Sequence, residues 1–262
     1  MIRKIAIILI TTFALTFNAI AESNDEILKK NDPSRINDCS EKFNRASFAF
    51  NKVLDGVVIK PLSKAYNVLP SPVRTGVGNS LNNLSNIETI PNNFLQGDFK
   101  KAGVNTGRFV INTTLGVLGL FDVANQFGLS KYEKEDYGQT LAKHGVGPGC
   151  YLVLPILGPT TTRDAFTTVA TNMIGGDAWY NVTIENDTQY FSDIDYYSSK
   201  IATGVDFRAK NFDSIENLQK NSLDFYASVK SLYLQDRQQK ILNSKKIINT
   251  QNDGDWEEID NQ

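Results

Sequence analysis

The sequence predicts a mainly α-helical protein folded as a single domain, and three observations carry that reading. Apolar residues recur three and four positions apart through most of the chain, as one face of a helix requires. Strict alternation of polar and apolar residues, the mark of a half-buried strand, is scarce, and no internal repeat divides the chain into copies. With 262 residues, 41% of them hydrophobic, there is material for one sizeable core. A formal charge of −2 argues against nucleic acid as a partner.

In chain order, residues 1–21 read as a secretory signal. Arg3 and Lys4 are basic, Ile5 to Phe17 is apolar, and Ala19-Ile20-Ala21 sets small residues ahead of a cleavage between Ala21 and Glu22. Residues 22–40 are polar, hold the breaker cluster Asn31-Asp32-Pro33-Ser34, and predict a flexible leader. The helical domain then spans residues 41–245. Its first helix carries Phe43, Ala46, Phe50, Val53, Leu54 and Val57 on one side and is ended or kinked at Pro61. Ser71 as N-cap and Pro72 in the first turn open the next, whose face is Val73, Val77, Leu81, Leu84 and Ile87. Pro91 interrupts a short amphipathic piece holding Phe94 and Leu95. Asp98 caps a third helix through about Leu115, where Gly103 and Gly107 suggest close packing of two helices. Thr161 and Asp164 resemble a capping box ahead of Phe166, Val169, Ala170 and Met173. Residues 175–200 read as a long loop, and Asp213 to Leu242 as one long helix striped by Ile215, Leu218, Ser222, Phe225, Val229 and Leu232. Residues 246–262 form an acidic, disordered tail.

The stretch least like an ordinary helix runs from Gly145 to Pro159. Gly145, Gly147, Pro148 and Gly149 make a turn, followed by the apolar run Tyr151-Leu152-Val153-Leu154-Pro155-Ile156-Leu157. Pro155 denies that run the form of a regular central strand or an uninterrupted helix. It is also too short to cross a bilayer as a helix. Its unpaired backbone groups need protein around them, which predicts a wall of an apolar passage. Gly145, Gly147, Gly149, Tyr151, Leu152, Leu154, Pro155 and Leu157 would line it, opposed by Phe50 and Val53. Leu115 to Val123 is the most apolar segment outside the signal, suited either to membrane or partner contact or to core burial.

Chemistry is sparse. His144 is the only histidine, and the nearest imitation of a nucleophile elbow, Gly78-Asn79-Ser80-Leu81-Asn82, lacks its final glycine. His144 reads more simply as an exposed loop residue. One histidine and two distant cysteines have no metal spacing, so neither metal nor cofactor is expected. Pro148 removes an amide donor from the glycine turn and an apolar run follows it, which argues against a phosphate cradle.

Four ordered blocks give the chain a relative. The first is Phe43-Asn44-Arg45 with Phe48, Phe50-Asn51 and Leu54-Asp55. Asn92 to Gly97 and Arg108 to Ala124 follow. The last holds Asp136, Gly138 to Leu141, Gly145-Val146-Gly147, Tyr151 to Pro155, Leu157-Gly158-Pro159 and Arg163-Asp164. Together they resemble the MlaA (VacJ) family of outer-membrane phospholipid-transport proteins over residues 41–170. The resemblance implies a ring of amphipathic helices in the inner leaflet of the outer membrane, enclosing an amphipathic lipid channel. It further implies transport without catalysis: phospholipid leaves the outer leaflet for an MlaC-like periplasmic carrier, beside a trimeric outer-membrane porin. The family usually has a lipid-bearing cysteine at the cleavage site, whereas Glu22-Ser23-Asn24 follows Ala21 here and the first cysteine is Cys39. Attachment is therefore expected through apolar surface or partners. Cys39 and Cys150 both stand where the family carries proline, and in an oxidising compartment a bond between them is expected, with two free buried thiols as the alternative. The 213–242 helix would face the carrier or pack on the ring. A secreted membrane-acting lipid hydrolase and a periplasmic scaffold without cargo remain as other functional classes.

Overall fold

The computed structural model describes residues 29–174, 178–180 and 192–242, with Ile27, Thr183 and residues 247–248 besides. The signal segment with Ala21 and Glu22, and nearly all of the acidic tail, lie outside the described residues. Helix α1 (Glu41–Leu54) passes through a π-helical segment, Asp55–Ile59, into α2 (Lys60–Val68), and backbone angles stay helical across both junctions. Pro61 has no N–H to give to the preceding turn. The Lys60 N–H reaches back five residues to Asp55 O, so the rod widens instead of ending. Then follow α3 (Ser71–Leu84), α4 (Asn86–Leu95), α5 (Phe99–Thr114), the single turn α6 (Val123–Gln126) and β1 (Lys131–Tyr132). Pro91 sits inside α4 without breaking it. Next come α7 (Tyr137–Lys143), the hairpin β2 (Tyr151–Leu154) and β3 (Gly158–Thr161), and α8 (Thr162–Ile174). The chain closes with α9 (Asp193–Lys210), α10 (Phe212–Asn221), α11 (Phe225–Leu242) and β4 (Ile247–Ile248), antiparallel to β1.

Neighbour packs on neighbour in a closed circuit. The rod α1 packs on β2, β3 feeds α8, and α8 rests on α7. From there α7 meets α4, α4 meets α5, α5 meets α3, α3 meets α9, and α9 returns to α2. A ring of helices results, with α11 laid across β3 and α7.

Burial in this ring is inverted. Among the described residues, ten hydrophobic side chains are buried against twenty-two polar or charged ones, while thirty large hydrophobics are exposed. Water as the only solvent would favour the opposite arrangement. Three of the apolar faces legible in the sequence turn outward, Phe43, Phe50, Val53 and Val57 on α1, Phe99 and Val110 on α5, and Phe166 and Val169 on α8, while Val77, Leu81, Leu84 and Ile87 are half-buried. The helices meet instead through amides, hydroxyls and charges. Asn105 Nδ2 of α5 donates to Asn93 Oδ1 of α4 at 2.8 Å, and Thr140 Oγ1 of α7 donates to Asn92 Oδ1 of α4 at 2.6 Å. Where lipid tails surround a helix, apolar contact between helices gains nothing over contact with lipid, and polar joints give the ring its specificity.

Four expectations are corrected. The described part of the leader is tied to the domain at three points: Ile27 lies against Ala142 and Ile241, Arg163 Nη1 donates to the buried Asn31 at 2.9 Å, and the Tyr151 N–H bonds Asn37 O. Part of the 175–200 loop is helix, because Ser192 and Asp195 close a reciprocal capping box that starts α9. The long C-terminal helix is two, since Ser222 is extended and Asp224 Oδ1 caps the fresh start by accepting from the Ala227 N–H. Gly103 and Gly107 join no two helices closely: a side chain at Gly103 would meet open space, and one at Gly107 only ordinary contact with Leu129.

Candidate functional site

Two asparagines of α1, seven residues apart, build the wall between rod and hairpin. Asn44 Nδ2 donates to Tyr151 O at 3.0 Å while its Oδ1 accepts from the Val153 N–H at 2.9 Å. Asn51 repeats the motif three residues further along the hairpin, donating to Leu154 O at 2.9 Å and accepting from the Ile156 N–H at 2.6 Å. The side chains stand in for a third strand and satisfy the open edge of a two-stranded hairpin. Phe43 and Phe50, each one residue earlier, point outward. The Gly145–Pro159 stretch is thus a hairpin whose Pro155 falls just beyond the strand, where removing a donor does no harm. Ile156 takes φ +69° in its turn, a strained value for a β-branched residue, and is 73% exposed together with Leu157.

The residues expected to line one apolar passage part company. Tyr151 is fully buried in a core with Val153, Tyr226 and Leu234, so it belongs to the core and not to a passage wall. Leu152 and Leu154 lie half-buried on the other hairpin face, Pro155 and Leu157 are exposed at the turn, and Phe50 and Val53 are exposed on the rod. Gly145 has φ +83° and ends α7, its N–H bonding Ala142 O while the Val146 N–H bonds Leu141 O, the double bond of a Schellman stop. Gly149 has φ +69°, and a side chain there would press on Thr162. Gly147 meets open space. His144 caps the end of α7 through Nδ1 and Thr140 O, 2.8 Å apart. Cys39 and Cys150 form a disulfide with Cα atoms 5.6 Å apart, closing 111 residues. A loop of that size removes about 4–5 kcal/mol of denatured-state entropy in the chain-entropy model.

A polar cleft of about 240 Å³ opens between α3, α4, α5 and the β1 segment. Asparagines at 79, 82, 83 and 86 form one wall, and Asn105, Arg108 and Asn112 another. Arg108 clasps Asp122 at 2.7 Å and donates to Leu129 O, while Asn112 Oδ1 accepts from the Ala124 N–H. Burial raises the Asp122 carboxyl, but hydrogen bonds from Asn112 and Arg108 outweigh it and hold it below its ordinary value. Lys131, Lys134 and Lys240 complete the lining with Glu133. Lys134 is exposed to the cleft yet surrounded by protein. Burial first, then the charges of Lys131, Lys210 and Lys240, push its ammonium below its ordinary pKa.

A second polar cleft, about 280 Å³, lies beside α7 and α8. Arg237 of α11 bridges Asp136 at 2.5 Å and Asp164 at 2.9 Å, and Tyr233 OH donates to Asp164. Burial opposes the charge on Asp136, yet Arg237 and the Gln139 amide hold its carboxyl far below the usual range. A side chain at Gly138 would collide with Asp164 and Arg237, which explains its glycine. Glu135, by contrast, is raised by burial despite the Gln96 hydrogen bond and the charges of Lys143 and Lys101.

Residues 115–121 cross from α5 to α6 with Val117 at φ +52° and Leu118 at φ +55°. Ser80 Oγ donates to Leu118 O at 2.9 Å, and Leu115, Leu118 and Phe121 remain exposed. Of the two readings of this segment, exposure prevails over core burial. The signal overlooked in the sequence was polar: Asn44, Ser47, Asn51 and Asp55 on α1, and Lys101, Asn105, Arg108 and Asn112 on α5, repeat at three and four residues.

Comparisons with known proteins agree with one another. A family model described as MlaA lipoprotein matches residues 36–240. A protein of Rickettsia bellii is 38% identical over 226 residues, covering 83% of this chain and 84% of its own. The intermembrane phospholipid transport system lipoprotein MlaA of Haemophilus influenzae is 32% identical over 248 residues, covering 94% and 93%. A solved structure, reported as the structural basis for maintenance of bacterial outer membrane lipid asymmetry, superposes with a TM-score of 0.63 at 33% identity. It covers 79% of this chain and 99% of the other.

Proposed function

Since this chain belongs to the MlaA lipoprotein family, we propose that it transports phospholipid between membranes. It removes mislocalised phospholipid from the outer leaflet of the outer membrane and passes it to a periplasmic carrier, so that lipid asymmetry is maintained. One observation carries the reading: apolar side chains face out of a ring whose joints and clefts are polar. A phospholipid needs both surfaces, a polar path for its headgroup and an apolar one for its chains. The outward faces of α1, α5 and α8, and the exposed hairpin tip at Pro155 and Leu157, would lie among acyl chains of the inner leaflet. Among the described residues no helix is long and apolar enough to cross a membrane, which fits a ring seated in one leaflet. Phe50, Val53, Leu152 and Leu154 then serve the chain side of the path, and the asparagine-walled cleft serves the headgroup side.

Transport of this kind makes and breaks no bond, so the protein acts as a conduit and not as an enzyme. An MlaC-like carrier receives the lipid on the periplasmic side, and a porin trimer accompanies the ring in the outer membrane. Apolar surface on the outward helix faces supplies membrane attachment. The test is transfer of fluorescent phospholipid from donor vesicles through the purified, oxidised protein to an acceptor carrier. Transfer that falls at least about tenfold when Leu157 and Phe50 are both replaced by Asp is expected. Absence of transfer and of co-extracted phospholipid from the unaltered protein would reject the function.

A further inference from the structure

The cleft beside α3, α4 and α5 holds more positive charge than its own walls neutralise. Arg108 is matched by Asp122 at 2.7 Å and Lys240 by Asp236 at 2.6 Å. Lys131 and Lys134 have no carboxylate at ion-pair distance among the described residues, and Glu133 is the single unpaired acid beside them. Lys210, held by Asp206 at 2.9 Å, adds its field from the side. Folding has gathered like charges whose repulsion and partial burial both cost stability, an arrangement suited to an absent anion. The asparagine wall beside them, Asn79, Asn82, Asn83 and Asn86, offers neutral amides to the same space.

We infer that Lys131 and Lys134 make this cleft selective for phospholipids of net negative charge, with phosphatidylglycerol as the matching chemistry. The inference rests on the proposed transport reading and adds a headgroup preference to it. A phosphodiester presents one anionic charge to the lysines, and a glycerol headgroup adds hydroxyls for the asparagine wall. Ethanolamine headgroups carry an ammonium that the same lysines repel.

The full oxidised protein is incubated with vesicles of equimolar phosphatidylglycerol and phosphatidylethanolamine, re-isolated, and its bound lipid quantified by mass spectrometry. Phosphatidylglycerol enriched about two- to tenfold over the vesicle ratio is expected, the range that two partly exposed ion pairs support. The double variant Lys131→Gln, Lys134→Gln should return the ratio toward one, and Glu133→Gln should raise the enrichment. Circular dichroism of each variant verifies that the fold persists. Lipid bound in the vesicle proportion by the unaltered protein, or enrichment unchanged in the double variant, overturns the selectivity while transport stands. No bound lipid at all overturns both readings. Calorimetry with inorganic phosphate distinguishes the source of the anion: lysine-dependent phosphate binding without lipid enrichment would assign the cleft to a soluble anion and reject the headgroup assignment.

Discussion

At the Arg237 junction each charge is met by a counter-charge, whereas the lysines 131 and 134 that line the cleft beside α3 have none at ion-pair distance among the described residues. Both regions are polar and inside the ring, and both sit where a water-soluble globule would place leucine. They differ in what the fold does with the charge. Asp136 and Asp164 are fixed from two sides by one planar guanidinium, with Gly138 cut back to make room. Burial first, and then the charges of Lys131 and Lys210, hold the Lys134 ammonium below its ordinary pKa. Paired charge at the Arg237 junction holds α7, α8 and α11 together, and the lysines of the cleft hold no elements together in this way.

Breaking the paired region should have the largest effect. Arg237→Met removes the guanidinium that bridges Asp136 and Asp164, leaving Asp136 with the Gln139 amide and Asp164 with Arg163 and Tyr233, and urea titration in detergent should show about 3 kcal/mol of lost stability. Acid sharpens the same point. Because the folded-state pKa of Asp136 is depressed, its contribution is fully present above its unfolded value, near 4, and is lost as pH falls toward the folded one. Unfolding followed from pH 6 to pH 2 should therefore steepen below about pH 4, and the Asp136→Asn protein should lack that component. At the hairpin wall, Asn44→Leu strands the Val153 N–H and Tyr151 O, and a loss of about 1–3 kcal/mol is expected in thermal unfolding. The smallest effect separates the two regions most clearly. Lys134→Gln removes a charge whose depressed pKa makes it unfavourable below that pKa, so stability at pH 7 should hold or rise by up to about 1 kcal/mol. A marked loss there would mean that Lys134 has a structural partner after all.

Much of the helical order was legible because period and punctuation are local properties. The start of α5 after Asp98, whose carboxylate pairs with Lys101 at 3.2 Å instead of capping, and the opening of α8 at Thr161, where the Asp164 N–H donates to Thr161 Oγ1, follow from a few neighbouring residues. The sidedness of the helices was not legible by the usual rule, since that rule assumes water outside. Phe43 and Phe50 recur at helical spacing whether they face a core or a lipid, and only the asparagines beside them separate the cases. The wall was legible only in part: the apolar run marks the hairpin, while its pairing with Asn44 and Asn51 of the rod joins residues more than a hundred positions apart, which no local pattern shows. The break before α11 was hidden because Ser222 and Phe225 keep the stripe in phase while Asp224, an ordinary N-cap residue, restarts the helix.

The widened turn at Asp55–Ile59 carries a consequence for the whole rod. Asp55 and Ser63 both meet α9, Asp55 through Arg208 at 3.0 Å and Ser63 through Val205 O at 3.3 Å. Eight residues of unbroken α-helix would turn those two side chains about 80° apart. The slower rotation of the π segment absorbs much of that angle. The segment acts as a phase corrector, keeping one wet edge and one oily edge aligned from Glu41 to Val68, a length over which a straight helix would have wound its two faces out of register with the ring.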